Sequence, residues 1–158
     1  MQHEELVGKV ATAIARLAGQ RVYIDTNVFI YFLDKHDTYF EVVSQFFQAC
    51  IRREIFGTTG DAAVAEVMVG PYRQDNPALA ARFKRFFAQK NFLTIVGHDR
   101  DVFDAAAMLV ARKRLKFIDA LHVATAVHAG CQFFITNDAG ISSNEGLEVV
   151  SLAALLKA

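Results

Sequence analysis

The chain has 158 residues, 53% of them hydrophobic, which suits one domain with a full-sized core. Seventeen basic side chains balance seventeen acidic ones, so any nucleic-acid binding has to come from a local patch and not from a global field. Charges break every apolar run short of membrane-spanning length, and Glu4 and Glu5 stand where a secretory leader is basic and then apolar; the expectation is a soluble, cytoplasmic protein with no membrane partner.

Leu6, Val10, Ile14 and Leu17 recur at helical spacing, which predicts an amphipathic helix within residues 1–20, stopped near Gly19. The remaining span, 21–158, reads as the body of a single domain. Residues 21–25 read as a strand, and VFIYFL after them suits a buried helix, although its length alone does not exclude a continuing strand. A helix is predicted from Tyr39 to Arg53 and a short strand over 55–59. Asp61 is placed to cap the helix AAVAEVMV, with Gly70-Pro71 as its stop. Asn76-Pro77 opens another helix, running to about Lys90. A strand follows at 92–96, then a helix from about 100 to 114 capped by Asp99. A helix from Ile118 to Ala129 ends at Gly130, and strands are predicted at CQFFIT and at 147–152. Strands alternate with helices throughout, which argues for an α/β sandwich around a mainly parallel sheet. In such a sheet the C-terminal strand ends share one edge, where ligands bind. Cys50 and Cys131 sit among apolar neighbours and read as buried free thiols, not a disulfide or a zinc site.

Two of the apolar runs end in an acid. RVYID ends at Asp25 and QFFITND at Asp138, so neighbouring strands would bring both carboxylates into one cleft. Such a pair repels unless one acid is protonated or a cation lies between them. Oxygen donors with no Cys or His in tow suit a hard divalent cation, Mg²⁺ or Mn²⁺. Glu66 stands alone on a small, apolar helix, and Asp119 begins the helix FIDALHVATAVHAG, so an ionised carboxylate at either place needs exposure or a partner. Each acid also has a purely structural reading. Asp25 and Asp119 are competent helix caps, Asp138 opens a good turn sequence, and Glu66 could face solvent.

The segments VYIDTNVFI, AVAEVMVGPYR, FIDALHVATAVHAG and FFITND together resemble the PIN-domain nucleases, most of all the VapC-type toxin ribonucleases of type II toxin–antitoxin pairs. The resemblance covers about residues 21–152, and its four segments fall in the family's order. It implies a three-layer α/β/α sandwich with a five-stranded parallel sheet, in agreement with the pattern above. It assigns Asp25, Glu66, Asp119 and Asp138 as the catalytic acids around one or two Mg²⁺ or Mn²⁺ ions. It also implies an RNA substrate, an antitoxin partner whose helical tail lies over the acids, and a homodimer. Many toxins of this type begin almost directly with the first strand, so residues 1–20 depart from the pattern.

On this reading Asp25 and Asp138 are the principal ligands, Asp119 binds a second ion or acts through water, and Glu66 orients a water and takes its proton. Asn27 and Thr136 are candidates to brace the acids or to contact substrate, whereas Thr26 and Asn137 are expected to shape turns and caps. His122 is expected to be a core or bracing histidine, and His98 and His128 make no ligand spacing with it. Arg112, Lys113, Arg114 and Lys116 lean towards RNA phosphates; Arg82, Lys84 and Arg85 read as a solvated face. The fourteen phenylalanines are expected mostly in the core, with exposed aromatics on the 39–51 helix as a docking groove. A haloacid-dehalogenase-type phosphatase is disfavoured because Asn27 stands where its second aspartate belongs, and a receiver-like domain because its acidic pair is not evident. The alternatives kept are a housekeeping RNA-processing nuclease of the same family and a non-enzymatic, metal-stabilised binding protein.

Overall fold

The computed structural model describes residues 3–143 and 146–157; positions 1, 2, 144, 145 and 158 of the two expected segments lie outside them. Five strands form one fully parallel sheet: β1 (Arg21–Ile24), β2 (Phe56–Gly60), β3 (Leu93–Val96), β4 (Phe133–Thr136) and β5 (Glu148–Ser151), in the order β3-β2-β1-β4-β5. Among the described residues eight helices accompany them: α1 (His3–Ala15), α2 (Thr26–Leu33), α3 (Phe40–Ile51), α4 (Asp61–Arg73), α5 (Pro77–Phe87), α6 (Arg100–Lys113), α7 (Phe117–His128) and α8 (Leu152–Lys157). The sandwich anticipated from the alternation of strands and helices is therefore the fold.

The central strand β1 carries Val22, Tyr23 and Ile24, all fully buried, because its two faces are both covered by helices. After β1 the chain crosses towards β2, and after β4 it crosses the other way to β5. The crevice between the C-terminal ends of β1 and β4 is thus the switch point at which open parallel sheets receive ligands. Asp25 follows directly on β1, and Asp138 stands two residues beyond the end of β4.

One face of the sheet packs on a large aromatic cluster. Phe29, Phe47, Phe86 and Phe87 meet in stacked and edge-on pairs with centroids 5.0 to 6.2 Å apart. Helix α1 joins this same core through Val10, Ala13 and Ile14 and lies against α3 and α8. The expected aromatic groove on α3 is not there: Phe46 and Phe47 are buried in the core, and the exposed large apolar residue of that helix is Ile51.

Three local expectations are corrected. Helix α4 does not stop at Gly70-Pro71 but runs on to Arg73. Pro71 is buried in its last turn, and beyond it the carbonyls of Gly70 and Pro71 accept from the amides of Gln74 and Asn76. Asp61 is the first residue of that helix, and Gly60 is the cap. Helix α8 was not anticipated, since six residues are too few to show a helical period. Burial pushes the thiols of Cys50 and Cys131 up to about 12 and about 11, and both are free and buried, as expected.

Candidate active site

Asp25 ends β1 and caps α2, so its cap role and its place at the switch point coincide. One carboxylate oxygen accepts the Thr26 amide at 2.8 Å; the other accepts the Thr136 hydroxyl at 2.7 Å and the Asn27 amide at 3.2 Å. The carboxyl is 5% exposed. Three donors thus fix its rotamer and compensate the burial of its charge.

Of the two tasks open to Asn27 and Thr136 in the sequence, bracing the acids or touching substrate, the hydrogen bonds show the bracing. Thr136 is buried, and its hydroxyl donates to Asp25 while accepting from the Asp138 amide at 2.9 Å. Asn27 donates to Asp25 and Thr136 and accepts the Asn137 amide at 3.1 Å. Together they tie the loop after β4 to the start of α2, which sets Asp138 relative to Asp25. Asp138 is exposed, and its side chain accepts the Gly140 amide at 2.8 Å, the turn-opening geometry open to it from the sequence.

Glu66 projects from α4 towards α2 and α7. Its Oε1 accepts the Thr26 hydroxyl at 2.6 Å and faces His122 Nε2, also at 2.6 Å. A carboxylate only accepts, so Nε2 carries the proton of that bond; Nδ1 on the other side of the ring is hydrogen-bonded to the Tyr23 hydroxyl, 2.8 Å away. Burial of Glu66 works to raise its affinity for a proton, but the bonds from His122 and Thr26 outweigh it and hold the carboxyl below its usual range. Burial, reinforced by Asp25, pushes the Tyr23 phenol far up, so the hydroxyl keeps its proton.

His122 is buried, and it is also the partner of Glu66 and lies 3.9 Å from Asp25. His98, set aside in the sequence for want of a spacing partner, has a defined place of its own. The Ala62 amide donates to its Nε2 at 3.0 Å, so Nδ1 donates to the Thr125 hydroxyl at 2.9 Å, which in turn donates to the Leu121 carbonyl. Burial holds its ring below the ordinary histidine range, against the pull of Asp61. Gly60 makes room for this arrangement, because a Cβ there would come within 2.7 Å of the His98 ring.

Asp119 lies in the first turn of α7, half-buried. Its carboxyl is pushed above the usual range by burial and then by the charges of Asp138 and Asp25, with His122 and Lys116 pulling the other way. The three aspartates of β1, α7 and β4 therefore share one electrostatic neighbourhood. Among the described residues no three His, Cys, Asp or Glu side chains stand as a protein-only metal cage. The donor set still suits a hard cation, which typically takes one or two carboxylates and fills the remaining positions with water. Of the basic segment, Lys116 caps α7 beside Asp119, and Lys113 borders a small cavity with Gly140 near Asp138; Arg112 and Arg114 are exposed at the end of α6.

The PIN domain family model matches residues 22–147. The chain belongs to the PIN domain family. This PIN domain superposes on several solved structures at low identity. A toxin–antitoxin complex from Klebsiella pneumoniae matches with a TM-score of 0.64 and 20% identity, over 83% of this chain and 97% of that one. VapBC2 from Rickettsia felis, bound to a DNA fragment from its promoter, gives 0.65 and 15%, over 83% and 98%. VapC20 of Mycobacterium tuberculosis, a sarcin–ricin loop cleaving toxin, gives 0.60 and 14%, over 72% and 86%. At such identities the likeness is one of fold. Comparison with curated protein sequences gives no match.

Proposed function

We propose that this PIN domain is a metal-dependent endoribonuclease that hydrolyses RNA phosphodiester bonds with Mg²⁺ or Mn²⁺, and that it serves as the toxin of a toxin–antitoxin pair. The observation that carries the reading is Asp119. Its carboxyl is raised first by burial and then by the charges of Asp138 and Asp25, which follow separate strands, and a bound cation relieves the crowding of the three acids. Asp25 and Asp138 would hold the ion, with Asp119 bound directly or through water. When bound, the ion lowers the proton affinity of a coordinated water and stabilises charge on the phosphoryl oxygens.

The chain's own residues do the rest. Thr26, Asn27 and Thr136 hold Asp25 in one rotamer, and Thr26 with His122 fixes Glu66, whose free oxygen can accept from a water at the edge of the cluster. Lys113 and Lys116 stand where phosphates of an approaching strand would pass. A cavity of about 250 Å³ beside Glu66, lined by Ile30, Leu33, Val69, Arg73 and Phe83, supports an antitoxin segment reaching the acids. The toxin role follows the family resemblance and the toxin and toxin–antitoxin structures that share this fold, and the homodimer and the cytoplasmic setting follow the resemblance alone.

The test is incubation of the purified protein with a mixed RNA pool and Mn²⁺ or Mg²⁺. Cutting is expected, to be abolished by EDTA and reduced ~100-fold or more by Asp25→Asn, the scale seen when one transition-state stabilising group is lost. Cutting that survives both treatments contradicts the proposal. A small DNA-binding protein encoded next to this gene separates the toxin from a housekeeping RNA-processing nuclease.

A further inference from the structure

Helix α7 opens with an aromatic residue that the core does not use. Phe117 is 51% exposed, although a phenylalanine gains from burial. Its ring lies parallel to that of Phe103 on α6, 6° apart in orientation and 6.5 Å between centroids, and Phe103 is itself 44% exposed. The edge of Phe103 meets His98 at 6.1 Å, and two hydrogen bonds pin that ring between α4 and α7. The pair is therefore anchored while its outer surface stays open.

Its surroundings say what would cover it. Lys116 precedes Phe117 directly, and Lys113 and Arg114 lie just before it, all exposed. Asp119 follows two residues later in the same turn. An open aromatic ring, flanked by cations and next to the acids, matches the two demands of an unpaired RNA strand: phosphates to neutralise and a base face to stack. A second protein's apolar patch would gain nothing from the three cations. We propose that Phe117, backed by Phe103, is a stacking platform for an unpaired base of the RNA strand beside the acid cluster, and so a determinant of single-stranded substrate choice. This rests on the ribonuclease reading above.

The chain has no tryptophan, so Phe117→Trp introduces one fluorophore at the site in question. That variant is titrated in EDTA, to prevent cleavage, with a single-stranded RNA oligonucleotide and with an abasic ribose-phosphate strand of equal length. Quenching by RNA and not by the abasic strand is the expected result. In parallel, Phe117→Ala and Phe117→Leu should bind the RNA ~5- to 150-fold more weakly than the unmodified protein, the worth of one stacked base. Their affinity for the abasic strand should be unchanged. The leucine variant keeps the apolar bulk and removes only the aromatic face. Unchanged RNA affinity in both variants overturns the platform. So does an equal loss for both strands, or sedimentation showing that either variant turns a dimer into a monomer. If the unmodified protein still cuts RNA in Mn²⁺ under any of these results, only the platform fails. If it neither binds nor cuts RNA, the ribonuclease reading fails with it.

Discussion

Glu66 takes hydrogen bonds from Thr26 on α2 and His122 on α7, and His122 in turn is hydrogen-bonded to Tyr23 on the central strand. Replacing His122 by Ala leaves the buried Tyr23 hydroxyl and one bond of Glu66 without a partner. The cost expected is about 1–3 kcal/mol of stability, read from urea unfolding of the variant beside the wild type. Asp119 behaves in the opposite sense. Its folded-state carboxyl is raised, so the unfolded chain gives up that proton at lower pH than the folded chain does. Stability is therefore lost as pH rises from the unfolded value through the folded one. Asp119→Asn, melted without metal, should exceed the wild type in Tm at neutral pH, and the gain should vanish below the usual aspartate range; an equal Tm at neutral pH would contradict the cost assigned to this buried, crowded charge. Glu66 runs the other way again, its contribution present above the usual glutamate range and lost in acid as pH falls through its lowered value.

At this scale the acids were legible and their supports were not. Asp25 and Asp138 announce themselves because a charge ends an apolar strand. His122 and His98 do not, since their partners lie 56 and 36 residues away and only the packed fold joins them. Thr136 stayed ambiguous for the same reason: a hydroxyl next to an acid can brace it or face substrate until burial is known.

Among the elements, α1 carries the clearest mechanical claim. It lies before the span matched by the PIN domain model, yet Val10 and Ile14 belong to the main core with α3 and α8. Ile14→Ala should destabilise the whole domain by about 2–5 kcal/mol, with an unchanged denaturant slope. A purely local effect, leaving the global transition in place, would make α1 an appendage. The helical period of α1 was readable from Leu6, Val10, Ile14 and Leu17, but its partner was not. Periodicity says which face is apolar and not what covers it. Helix α4 shows the reverse limit. Gly70-Pro71 is a strong local stop, but the carbonyls around it find acceptable donors and the helix gains one more turn.

For the whole molecule, the alternation of strands and helices gave away the layers, and right-handed crossovers placed all strand ends on one edge. The order β3-β2-β1-β4-β5 could not be read off, because several orders satisfy the same alternation. That order is what makes β1 and β4 neighbours and turns two separate strand-end acids into one site, joined across Thr136 and Asn27. Whether the site works as one cation-binding unit decides the rest. The direct measurement is calorimetric titration of Mn²⁺ into the wild type, Asp25→Asn and Asp138→Asn at neutral pH. The account predicts binding by the wild type, weakened ~10-fold or more in each variant although the two acids belong to different strands. Equal affinity in all three proteins would contradict it.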